Sequence, residues 1–191
     1  VVKDRHVLLI VHGEISMSDI ESRFQAIEAR LRDAERRAQS AQDRLDIYQL
    51  IATYGPGVDS LNEEAVRNLW TEDGVYDPGG EPYVGNDAVG KLIYGDVHQG
   101  FVSKGCAHVM SMPHIVVDGD TAVATGYSNV FLRDGDHWRV QRASANRWEL
   151  VRTAAGWKVK HRLNRQLLGN DKSRQVLGSG LPSGAAAATG A

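Results

Sequence analysis

The chain has 191 residues, 42% hydrophobic and 24% charged, with a formal net charge of −2. That length suits one globular body with a sizeable core, and the composition excludes wholesale disorder and a collagen-like repeat. Near-neutrality excludes a broadly basic nucleic-acid binder. The single cysteine, Cys106, excludes an intrachain disulfide framework and a multi-cysteine zinc site.

The longest Val/Leu/Ile run, residues 7–11, is too short for a bilayer span or a signal-peptide core. A cytoplasmic chain with no membrane partner is therefore expected. Residues 1–16 have no consistent period and precede Met17. They read as a leader or an added segment outside the fold, unless residues 7–11 form a short edge strand. A helix is expected from Ser18, opened by a capping box with Glu21. Its apolar positions are Ile20, Phe24, Ile27, Leu31, Ala34, Ala38, Ala41, Leu45 and Tyr48. Their spacings alternate four and three, which is a heptad seam thinned by alanine. Arg30, Arg32, Arg36, Arg37 and the acids between them read as a solvated face. With its alanine-rich middle this arm, residues 17–45, is not expected to form a strong independent coiled coil but to pack on a partner subunit or on the chain's own sheet. A homo-oligomer, dimer or trimer, follows.

In the body, residues 46–169, the helix is expected to stop at Gly55-Pro56-Gly57. A second helix fits 62–70, short strands fit 74–77 and 83–84, and a third helix fits 87–99. Strands follow at 107–117, 121–133, 138–152 and 157–168, joined by Asp-Gly and Ala-Gly turns into an antiparallel meander. Helices first and a long curved sheet afterwards predict an α+β fold: a cone-shaped barrel, its sheet wrapped around N-terminal helices with an interior pocket. This body holds 12 of the 13 aromatic residues, suited to a greasy ligand. The small-residue segment from Gly178 marks the tail, residues 170–191, as disordered.

A pocket enzyme without metal or cofactor needs a base, a group that orients it and a hydrogen-bonding partner. Three places offer these: Tyr54 to Asp59 at the helix end, Cys106-Ala107-His108-Val109-Met110 on a strand, and His161-Arg162-Leu163-Asn164 on the last strand. Period-two alternation puts Cys106, His108 and Met110 on one face. Each place has a plainer reading. Asp59 could cap the next helix, His108 and Tyr54 could be core residues, and Arg162 has the parity of a solvated residue unless the strand bulges.

The order YGxGVDxxxxEAVRNLWTEDGVY, then a CAH strand start, then RWxLVRTxxGWKVKHR resembles the SnoaL-like branch of the nuclear transport factor 2-like superfamily. The resemblance spans about residues 45–168. It is closest to the lyase members: scytalone dehydratase, the hexachlorocyclohexane dehydrochlorinase and the bile acid 7α-dehydratase. It implies an Asp–His dyad on Asp59 and His108, with the last-strand arginine on Arg162. Tyr54 stands where the dehydrochlorinase has lysine, which favours loss of water or a proton shift over chloride elimination.

The expected function is a cofactor-independent lyase, dehydratase or isomerase acting on a hydrophobic cyclic molecule, steroid-like, terpenoid or aromatic polyketide. His108 would take a proton, Asp59 would fix its tautomer, Tyr54 would bond the leaving hydroxyl or enolate, and Arg162 would balance charge. Trp70, Cys106, Met110, Tyr127, Asn129 and Trp148 are candidate substrate contacts, with Leu92, Val97 and Met112 as further walls. The alternatives are a non-catalytic ligand-binding or oligomeric scaffold and a polyketide cyclase. A metal at His108, His114 and Asp59 matches no compact ligand spacing, so no metal and no cofactor are expected.

Overall fold

The computed structural model describes residues 16–181, so the proposed leader falls almost wholly outside the described residues. The chain divides into two compact units, Val1–Ala41 and Gln42–Ala191. Helix α1, Met17–Asp59, begins in the first and ends in the second. Its cap is Ser16 rather than Ser18: the Ser16 hydroxyl accepts the Asp19 amide at 3.1 Å. Ser18 instead shares a 2.7 Å hydrogen bond with the Ser16 hydroxyl. Along the first unit, Ile20, Phe24, Ile27 and Leu31 are exposed.

In the second unit α1 buries Ile47, Ile51, Tyr54 and Val58, spaced four, three and four, as one apolar stripe. Asp43 sits at the head of that stripe, almost fully buried. It accepts both Arg152 terminal nitrogens at 2.8 and 2.9 Å and the Trp157 indole at 3.3 Å. The helix does not stop at Gly55-Pro56-Gly57; it runs through Pro56 to Asp59. Proline removes one amide donor, but it lies in the final turn. There Gly55 and Gly57 let the helix approach the His108 backbone and the Val66 side chain closely, and Val58 is buried. Packing outweighs the local breaker signal.

Helix α2, Glu63–Arg67, is shorter than expected, and Trp70 opens strand β1, Trp70–Asp77. After β2, Tyr83–Val84, the third expected helix is split into α3, Asn86–Lys91, a 3-10 turn, Leu92–Tyr94, and α4, Asp96–Val102. Gly95, with an extended backbone, makes the break. The first long strand divides likewise into β3, Cys106–Met110, and β4, His114–Asp118, around Pro113. Strands β5, Thr121–Asp134, β6, His137–Thr153, and β7, Gly156–Gln166, complete the sheet.

The strand order is β2-β1-β7-β6-β5-β3, with β4 also on β5. β5, β6 and β7 form the expected meander, turning at Gly135 and Gly156 with φ of 61° and 95°. β1 pairs with β7 in parallel. The result is an α+β fold with a curved, unclosed sheet. Two irregularities shape the site. Pairing of β6 with β7 skips Lys160, since Leu150 faces Val159 and Glu149 faces His161. Pairing of β5 with β6 skips Gln141 in the same way. Such bulges turn the following side chains to the other face.

The expected disordered tail is structured in part. Helix α5, Asp171–Gly178, is capped by Asn170 and buries Ser173 and Val176. Arg147 fastens its end by donating to the Ser179 carbonyl at 3.0 Å. Residues 182–191 lie outside the described residues. Among the described residues, no helix is long and apolar enough to cross a membrane.

Candidate active site

Asp59 is the last residue of α1 and His108 the middle residue of β3. Gly55, one turn before Asp59, lies so close to β3 that an added Cβ would overlap the His108 carbonyl oxygen. The plainer role of capping α2 falls instead to Asn62, whose side chain accepts the Ala65 amide at 3.0 Å. Asp59 is thereby free to meet β3. One carboxylate oxygen accepts the His108 backbone amide at 2.7 Å. The other accepts His108 Nδ1–H at 2.6 Å and the Cys106 thiol at 3.2 Å.

Burial alone would raise the Asp59 pKa. Hydrogen bonds from the His108 ring and backbone, with a smaller share from Cys106, outweigh it and hold the carboxyl below its usual 3.8. A carboxylate there requires the uncharged tautomer of the imidazole to carry its proton on Nδ1, which leaves the lone pair on Nε2. Burial, then the Asp59 carboxylate, pushes the Cys106 thiol up to about 12. It is an S–H donor that positions Asp59, not a wall of the cavity. Ligand atoms of Asp59, Cys106 and His108 lie within 4.8 Å of one another, drawn together by the hydrogen bonds to the Asp59 carboxylate. His114 lies elsewhere, beside Met112 and Tyr127.

A cavity of about 380 Å³ is lined by Tyr54, Tyr76, Tyr83, Leu92, Val97, His98, Phe101 and Arg142 among others; Asp59 and His108 do not line it, and its wall nearest to them is His98. His98 has no signature in the sequence, because only the packing of α4 brings its ring 5.4 Å from that of His108. Its Nε2–H donates to the Val58 carbonyl at 2.8 Å. Burial lowers its pKa below the usual 6.5; the His108 ring adds to this, while the Val58 bond and Asp59 oppose it. A base with a depressed folded-state pKa stabilises the fold fully above its unfolded value, and that contribution is lost as pH falls toward the folded value. The thermal midpoint should therefore begin to drop on acidification through about pH 6.5. His98→Gln, which keeps a donor for Val58, should flatten that limb in a pH series of melts.

Arg162 is almost fully buried. The skipped Lys160 reverses the parity that would have pointed Arg162 outward. Its Nε and Nη2 donate to Asn146 Oδ1 at 3.1 and 2.8 Å, and Asn164 donates to the same oxygen at 2.9 Å. Asn146 in turn donates to Ser128 at 2.9 Å. Asparagine is depleted in strands, so Asn146 and Asn164 are the signal that could have revealed this inward polar row. The guanidinium stacks on Tyr54, Tyr76 and Trp148 at 4.2, 4.7 and 4.0 Å. No carboxylate pairs with it among the described residues, and its Nη1 is buried without a partner. Burial first, then Tyr76, raises the Tyr54 pKa, with Arg162 partly offsetting, so Tyr54 remains a neutral phenol.

The other expected contacts divide. Trp70 and Trp148 are buried against Tyr54 and Tyr76 and do not line the cavity. Met110 approaches Arg162 through sulfur at 3.9 Å. Tyr127 and Asn129 are corrected: they alternate with inward Ser128 and Val130, so they lie on the other face, Tyr127 half exposed. Met112 is also exposed. Arg142, in contrast, shares the parity of Ser144 and Asn146 and reaches the cavity.

The model of the family described as the SnoaL-like domain matches residues 39–163. An NTF2-like protein with a cystatin-like fold from Novosphingobium aromaticivorans is 36% identical, with a TM-score of 0.69 over 86% of this chain and 99% of that one. A candidate aromatic ring hydroxylase from the same organism is 26% identical, with a TM-score of 0.54 over 67% and 91%. A Catenulispora acidiphila protein in complex with S-DNPA is 22% identical, with a TM-score of 0.55 over 64% and 91%, a likeness of fold alone. No curated protein matches. By the family match and the close structural relative, this chain belongs to the SnoaL-like family and has its nuclear transport factor 2-like fold.

Proposed function

We propose that this protein binds a hydrophobic cyclic small molecule and converts it, without a cofactor, by general-base catalysis at His108 oriented by Asp59. The observation carrying this reading is the 2.6 Å bond from His108 Nδ1 to a carboxylate held low in pKa, with an aromatic cavity whose wall residue His98 has its ring 5.4 Å from that of His108. His108 Nε2 takes a proton from carbon beside a carbonyl or activating ring. The C–H electron pair moves into a new double bond. In a dehydration, the C–O bond then breaks and hydroxide leaves as water with the proton returned by imidazolium. In an isomerisation, the proton returns to another carbon. Asp59 stabilises the transient imidazolium, and neutral Tyr54 donates to the departing or enolate oxygen.

The unpartnered Nη1 of Arg162 supports a substrate that carries an oxygen with negative character, because a buried donor left unpaired costs about 1–3 kcal/mol. Thermal-shift screening with steroids and polycyclic phenols tests the reading. A binder at a hundredfold excess over its Kd stabilises the fold by about 2.7 kcal/mol. The shift should shrink in Arg162→Met for oxygenated ligands. A non-catalytic scaffold is the second reading, favoured by the exposed apolar arm. It expects no ligand stabilisation at all.

A further inference from the structure

In the first unit, helix α1 presents an apolar seam that is exposed among the described residues and whose flanks are charged by rule. Assigning Ile20, Ile27, Ala34 and Ala41 to heptad position d places Phe24, Leu31 and Ala38 at a. The positions flanking the seam are then e and g. Position e reads Glu21, Glu28, Glu35; position g reads Arg23, Arg30, Arg37. Every e is acidic and every g is basic over three heptads. Phe24, Ile27 and Leu31 are 61%, 61% and 57% exposed, so the seam they form is open.

From this pattern we infer that the arm associates with the same arm of further copies of this chain, as a parallel, in-register coiled coil. In a parallel coiled coil, each g residue faces the e residue five positions on in its neighbour. Arg23 then meets Glu28 of the next copy, and Arg30 meets Glu35. In an antiparallel arrangement e faces e and g faces g, which sets Glu against Glu and Arg against Arg. The charge pattern therefore selects both a self-partner and its direction. Glu28 pairs within the helix with Arg32 at 3.6 Å, and Arg37 with Asp33 at 3.0 Å. Both pairs are exposed and weakly held, so they yield to the inter-copy pairs. Arg23, Arg30, Glu21 and Glu35 make no ion pair among the described residues. The alanines Ala34 and Ala38 bury little area, so Phe24, Ile27 and Leu31 carry the contact. The inference is independent of the reading of the cavity.

Light scattering on the full chain, with Leu31→Glu and Phe24→Glu beside it, tests the association. The wild type should be a multimer and each variant should fall to a lower mass. A monomeric wild type, or variants of unchanged mass, would overturn the proposal. Direction is read by Ile20→Cys under mild oxidation, with the wild type as control for Cys106. In register and parallel, residue 20 meets its own counterpart, and a covalent dimer should form at native protein concentration. No cross-link, or one equal to the wild type's, would overturn the parallel arrangement even if a glutamate variant proved misfolded.

Discussion

His108→Ala should lower turnover of the cavity's substrate by about 10²–10⁴-fold, the usual worth of a positioned general base, while the chain stays folded. Folding survives because Asp59 keeps two of its donors, the backbone amide of residue 108 and the Cys106 thiol. Asp59→Asn should cost a similar factor for a different reason. An amide at position 59 can present N–H to Nδ1, which moves the imidazole proton to Nε2 and removes the base. A steady-state comparison of the two variants, with circular dichroism to verify folding, checks both. If either variant retained near-wild-type turnover, the dyad would not be the catalytic unit. Cys106→Ser should do far less, since a hydroxyl can still donate to Asp59.

Gly55→Ala should be among the most destabilising single substitutions in the body, against the general trend for glycine in helices. Alanine ordinarily stabilises a helix interior by about 0.5–1 kcal/mol relative to glycine. At position 55 the added methyl overlaps the His108 carbonyl, a backbone atom that moves only with the strand. Separating α1 from β3 also pulls Asp59 from the His108 amide, so the dyad opens. Overpacking of this kind costs about 1–3 kcal/mol or more, and turnover should fall with it. Gly100→Ala in α4 is the matched control, because nothing lies within 4 Å of its added Cβ. Urea melts of the two variants should move in opposite directions or leave Gly100→Ala unchanged. Equal, small shifts would show that the close approach of α1 to β3 carries no strain.

Much of the site is legible in the sequence where a short-range rule governs it. Alternation along β3 puts Cys106, His108 and Met110 on the face that meets Asp59 and Arg162. Asp-Gly punctuation marks the turns at Asp118-Gly119 and Asp134-Gly135. The rest depends on interactions between distant segments. A proline signal says that α1 ends at Gly55, yet burial of Val58 and the approach of two glycines to neighbouring elements carry it to Asp59. Parity alone points Arg162 outward, and one unpaired residue, Lys160, reverses it. The same counting places Tyr127 and Asn129 inside when their even-numbered neighbours Ser128 and Val130 are the inward ones. His98 becomes part of the site only because α4 packs on the Val58 carbonyl.

The decisive measurement is proton exchange on a bound ligand. A carbonyl-bearing compound that raises the thermal midpoint is incubated with the protein in deuterium oxide and followed by mass spectrometry. Wild-type protein should introduce deuterium at the carbon beside the carbonyl, and His108→Ala and Asp59→Asn should not. Equal exchange by wild type and His108→Ala, or none by wild type with any bound ligand, would contradict general-base catalysis at His108.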